Sequence, residues 1–149
     1  ELVDAAKLAG VEASTPGNTI MGVHAAATAV LVAGLVDLGV LKGAPETLIE
    51  TGAHKPFFPH QTSHWLGLDV HDPGDYQRVG KARELVPGMV FTVEPGLYFR
   101  PELCSGRASR FAGIGVRIED DVAITPNGCE VLTADIPTAA DEVQRMVGG

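Results

Sequence analysis

Cysteine is scarce in this chain: Cys104 and Cys129 are the only two, without CxxC spacing. That excludes a disulfide framework. They read as free thiols of a reducing, cytoplasmic compartment, with one bond between them as the alternative. Basic residues are few, 11 against 19 acidic ones, for a net charge of −8. This withholds the basic footprint that nucleic acid or an anionic membrane needs, so neither is expected as a partner. Long apolar runs are missing too. The stretch 25–41 is broken by Gly34, Asp37 and Gly39, and reads as a buried helix rather than a membrane span. No signal peptide is evident. No methionine opens the chain, which begins in helix-like sequence; a piece of a longer protein is expected.

What is present suits one globular domain over residues 1–149, with 45% hydrophobic and 20% charged residues. Glu1 to Ala9 reads as helix, with Gly10 as a stop. Ser14 to Asn18 is a turn. A long helix is expected from about Thr19 to Leu38, where apolar residues recur at helical spacing. Gly39 and Gly43 end it, and Pro45 to Thr51 forms a short helix or turn. The stretch 72–88 is polar and turn-rich. From Met89 to Phe99 the pattern becomes strand. Arg100 to Ala112 reads as loop. GIGVRIE and DVAIT read as strands, with Asn127-Gly128 as a hairpin turn before a last strand at Glu130 to Thr133. A terminal helix is expected from Thr138, as cap, to Val147. Helices first and then mostly antiparallel strands make an α+β layout.

The most distinctive stretch is PFFPHQTSHWLGLDVHD, residues 56–72. It places His60, His64 and His71 among Phe57, Phe58, Trp65, Leu66 and Leu68, which are expected to be buried around them. Imidazole is suited to metal binding and to proton transfer near neutral pH. Pro59 and Gly67 argue against one regular element, so spacing leaves the three roles open, and each alone reads more readily as a hydrogen-bonded core histidine than as a ligand. Trp65 reads as core packing, and His24 and His54 as structural or surface residues. The strands add Glu94, inside apolar FTVEPG, and Glu119, at the end of GIGVRIE. A buried carboxylate must be paired, hydrogen-bonded or metal-bound. Arg117 shares a strand face with Glu119, either orienting it or forming a structural pair.

HQTSHWLGLDVHD, LVPGMVFTVEPGLYF and GIGVRIEDDVAIT, in this order, resemble the C-terminal part of the pita-bread metallopeptidases, and aminopeptidase P (Xaa-Pro aminopeptidase) most. The likeness runs along essentially the whole chain. It implies helices packed on a curved, mostly antiparallel sheet, as the second of two pseudo-symmetric halves. It implies hydrolysis of the bond between an N-terminal residue and proline, with two divalent ions, Mn²⁺ above all and Co²⁺ or Zn²⁺ as alternatives. His64, Glu94 and Glu119 match metal ligands. His71 and His60 match catalytic, substrate-side histidines. Glu94 also matches the residue that manages the proton of the attacking water. Arg117 and Tyr98 match residues that hydrogen-bond around substrate.

Two departures stand out. Gln61 occupies a position where glycine is common in the family. The family's two aspartate ligands lie upstream of the first helix, and Asp4 and Asp37 do not match them. An upstream half, or a second copy in a homo-oligomer, is therefore expected to complete the site, and the lone chain to be inactive or weak. Two other readings compete. One is prolidase, cleaving Xaa-Pro dipeptides. The other is a non-catalytic pita-bread module that binds a protein.

Overall fold

In a computed structural model of the chain, which describes residues 1–148, the helices come first. They are α1 (Leu2–Ala13), α2 (Ile20–Asp37) and α3 (Pro45–Glu50). The strands follow: β1 (Gln77–Arg78), β2 (Lys81–Ala82), β3 (Val90–Val93), β4 (Gly96–Tyr98), β5 (Gly115–Arg117), β6 (Asp120–Thr125) and β7 (Gly128–Val131), and α4 (Ala140–Val147) closes the chain.

α1 does not stop at Gly10 but runs on to Ala13. The glycine is there for close approach. A Cβ at Gly10 would lie 2.7 Å from Cγ1 of Val93, so its bare backbone lets α1 lie against β3. α2 starts where the Thr19 side chain accepts the Gly22 N–H, an N-cap that satisfies one free amide of the first turn. By length and composition α2 could cross a membrane. In this fold its Val23, Ala27, Leu31, Val32 and Leu35 are fully buried instead. Val23, Ala27, Leu31 and Leu35 recur every four residues and, with Val32, make one face.

All strand pairs are antiparallel: β3, β6 and β7 form one sheet, β4 pairs with β5, and β1 with β2. The expected strand from Met89 to Phe99 is thus interrupted at Glu94-Pro95, and its partner at Ile118-Glu119. Pro95 has no N–H to give the ladder. The register is nonetheless continuous. Val93 pairs with Asp120 on one side of the break and Gly96 with Arg117 on the other, and the Ile118 N–H still reaches the Pro95 carbonyl.

The histidine stretch supplies another strand-like segment. Glu94 N–H bonds the Thr62 carbonyl, Thr92 N–H the His64 carbonyl, and Leu66 N–H the Val90 carbonyl. Residues 62–66 therefore flank β3 on the edge away from β6. Alternation along β3 then sorts the side chains. Phe91 and Val93 face a core shared with Trp65, Val23, Val122 and Ile124. Thr92 and Glu94 take the opposite face. Asp120, on the core side of β6, meets the buried Lys7 of α1 at 2.7 Å and accepts the Thr133 hydroxyl.

Three further expectations change. α4 begins at Ala140, and Thr138 is not its cap. Thr138 donates instead to Asp4, which ties the C-terminal segment to α1. The last strand ends at Val131. Leu68 is fully exposed rather than buried, while Phe57, Phe58 and Trp65 are core residues. The loop 100–112 contains two short 3₁₀ turns. The Asn127-Gly128 turn joins β6 to β7 as expected.

Candidate metal centre

The continuous register sets Glu94 directly opposite Glu119, on the face away from the core. His64 comes from the neighbouring segment, where its N–H donates to the Thr92 hydroxyl. One ligand atom from each of His64, Glu94 and Glu119 lies within 4.8 Å of the others. Glu94 is nearly buried and receives the Thr92 hydroxyl at 3.1 Å. Glu119 is exposed on one side. Arg117, on the same face, lies 3.7 Å from Glu94 through Nε.

The protons of His64 can be placed. Its Nδ1 is 3.0 Å from the Trp65 carbonyl. A carbonyl only accepts, so Nδ1 carries the hydrogen and neutral His64 has a bare Nε2. That bare nitrogen lies 3.3 Å from Oε1 of Glu94. Two lone pairs facing each other repel unless a cation lies between them or the imidazole is protonated. Glu119 reports the same crowding. Lost hydration first, then the facing Glu94 and Asp121, push its carboxyl above the ordinary carboxylate range, while Arg117 and His64 pull the other way. One imidazole and two carboxylates, one side open to solvent, are a donor set that fits a divalent ion.

The other expected residues fall close by. The Asp72 N–H returns to the Trp65 carbonyl. The loop it closes sets the His71 ring edge-on against His64, with centroids 4.3 Å apart. His60 is brought to Tyr98 instead. Its Nδ1 donates to the Gln61 carbonyl at 2.8 Å, and its Nε2 accepts the Tyr98 hydroxyl at 2.9 Å. Tyr98 lies over Gly96, where a Cβ would come 2.7 Å from its hydroxyl. Gly96 pairs with Arg117, so Tyr98 and His60 border the site from the β4 side. Gln61 is exposed. An open groove bounded by Val116, Ile118, Val143 and Val147 adjoins Arg117 and Glu119.

His24 and His54 are both drawn inward. His54 is buried. His24 contacts the site's scaffold through Thr62, a link that helical periodicity within 20–37 gives no means of seeing. Trp65 is core, stacked on Tyr76 with the Arg83 guanidinium 5.3 Å from its ring.

Residues 1–126 match the family model of metallopeptidase family M24. The chain belongs to that family. Over 132 residues it is 48% identical to an Xaa-Pro aminopeptidase of Escherichia coli K12, covering 89% of this chain and 29% of that protein. Its fold superposes on the structure of Pseudomonas aeruginosa aminopeptidase PepP with a TM-score of 0.92 at 44% identity, over 99% of this chain and 33% of that one. E. coli aminopeptidase P with the inhibitor Pro-Leu gives 0.89, with 44% identity and the same coverage. The fold is thus that of a pita-bread fragment. The chain spans about a third of the length of these relatives.

Proposed function

We propose that this chain carries the histidine and glutamate ligands of an Xaa-Pro aminopeptidase, which releases an N-terminal residue from a peptide with proline second. The observation that carries this is Glu94 facing Glu119 with the bare Nε2 of His64 3.3 Å from Glu94. His64, Glu94 and Glu119 would hold divalent ions, Mn²⁺ above all, together with ligands from outside this chain. A bound divalent ion supplies Lewis-acid chemistry, activating water and polarising the scissile carbonyl.

The chain's own residues do the rest. Glu94 is held by the Thr92 hydroxyl and by Arg117, and takes the proton given up by the attacking water. His71, beside His64 on an exposed loop, donates to the carbonyl oxygen as it gains charge. The Tyr98 hydroxyl fixes His60 with Nδ1 protonated, which steadies its ring at the substrate's edge. Arg117 holds Glu94 and faces the peptide from the exposed side of β5. The remaining ligands, two aspartates, come from polypeptide beyond these 149 residues.

The test is a chimera in which these residues replace the matching third of the E. coli relative. It is expected to release the first residue of an X-Pro peptide only with Mn²⁺, to spare the X-Ala peptide, and to lose activity in Glu119→Ala. A chimera that folds and binds Mn²⁺ but leaves X-Pro bonds intact contradicts the proposal. Cleavage of Gly-Pro in preference to longer X-Pro peptides would mark a prolidase.

A further inference from the structure

His24 projects from α2 to the start of the ligand-bearing segment. Its Nδ1 accepts the backbone N–H of Thr62 at 3.2 Å and lies 2.8 Å from the Thr62 hydroxyl. An amide N–H only donates, so Nδ1 is bare and the ring hydrogen sits on Nε2. The hydroxyl of Thr28, one turn along, lies 3.5 Å from Nε2 and can receive it. Thr62 is fully buried, and its carbonyl accepts the Glu94 N–H at 2.7 Å. One chain of hydrogen bonds therefore runs from His24 through the Thr62 backbone, by its N–H and its carbonyl, to the main chain of Glu94. His64 stands two residues further along the same segment.

We propose that His24 is a positioning residue for the ligand set. Its Nδ1 holds the Thr62 peptide, and through it fixes Glu94 relative to His64. This rests on reading His64, Glu94 and Glu119 as metal ligands. The geometry requires a neutral ring, because a protonated Nδ1 would confront the Thr62 N–H with a second donor. The surroundings supply one. Burial first, then His54 and His60, lower its pKa below the usual histidine value. These two histidines are the titratable groups that act on it, and no carboxylate is among them. The Phe58 ring packs against it at 5.4 Å. Groups that orient metal ligands tune affinity by about tenfold, and half-buried His24 acts one step further out, through the Thr62 backbone.

The experiment uses the full 149-residue chain, ¹⁵N-labelled, as wild type, His24→Asn and His24→Leu. Asparagine keeps an acceptor near the place of Nδ1 and cannot be protonated. Leucine fills the space without one. Two properties are read: hydrogen exchange of the Thr62 and Glu94 amides, and Mn²⁺ affinity by calorimetry. His24→Leu is expected to speed Thr62 exchange beyond its change in global stability and to weaken Mn²⁺ about tenfold. His24→Asn is expected to restore both. It should also keep Thr62 protected as pH falls below the usual histidine range, where the wild type loses that protection once Nδ1 of His24 takes up a proton. Unchanged exchange and affinity in His24→Leu overturn the proposal. So does equal impairment in both variants, which would mark His24 as packing alone. If the wild type binds no Mn²⁺, the metal reading fails, and the Thr62 and Glu94 exchange rates alone then decide whether His24 holds the ladder.

Discussion

Glu94 and Glu119 stand opposite each other across one antiparallel ladder, in the gap where Pro95 breaks its hydrogen bonding. Like charges directly opposite on a sheet are destabilising. Arg117, 3.7 Å from Glu94, and His64 offset the repulsion only in part, and Glu119 stays raised. The fold therefore holds a local conflict that a divalent cation would relieve.

The conflict has a pH signature. The Glu119 carboxyl is raised in the folded chain, so the folded state keeps its proton to higher pH than the unfolded one. Stability is then lost as pH climbs from the ordinary carboxylate range through the raised value, and recovered as it falls. In metal-free protein at about pH 7, Glu119→Gln is expected to melt above the wild type, and the gap is expected to close toward about pH 4. Thermal melts of both across that range check it. Parallel curves would speak against the conflict.

Gly10 makes a second prediction. Alanine is a better helix former by about 1 kcal/mol, yet its Cβ would meet the Val93 side chain at 2.7 Å. Overpacking of this kind costs about 1–3 kcal/mol. Gly10→Ala is expected to destabilise on balance, and to cost less in a Val93→Ala background, where the clashing methyls are gone, than in the wild type. Chemical denaturation of the single and double variants measures both.

Val79 and Gly80 both have positive φ, 50° and 74°, between β1 and β2. That pair of signs marks a hairpin turn that favours Asn-Gly. A branched residue is strained there, and Val79 is fully exposed, so it gains nothing from burial. Val79→Asn is expected to raise stability by about 1 kcal/mol. A lower melting temperature would contradict the turn assignment.

Lys7 and Asp120 form a buried pair, with side chains 7% and 8% exposed. Removing one partner of such a pair leaves a charge without compensation and costs about 3–5 kcal/mol. Lys7→Met is expected at the low end, since the Thr133 hydroxyl still serves Asp120. Denaturation of Lys7→Met against Lys7→Met/Asp120→Asn separates the lone charge from lost packing.

Much of this was legible in the chain. Helical spacing marked α2, and β-branched and aromatic runs marked β3 and β6. The motif residues marked His64, Glu94 and Glu119, and alternation put Arg117 on the face of Glu119. What stayed hidden depended on tertiary neighbours. Gly10 reads as a helix stop until Val93 is seen against it. Residues 62–66 lack a strand pattern, because their ladder is made by backbone bonds to β3. Leu68 looks like core by composition, yet the loop that brings His71 to His64 turns it outward. Thr138 precedes a helix but spends its hydroxyl on Asp4.

The most direct test is calorimetric titration of Mn²⁺ into the chain at about pH 7.5, in wild type and Glu119→Gln. Saturable binding is expected in the wild type, at least tenfold weaker in the variant. It should also weaken as pH falls, because protons compete with the metal for its ligands. Equal affinity in the two proteins, or no heat of binding in the wild type, would contradict the assignment of His64, Glu94 and Glu119 as a metal-binding set.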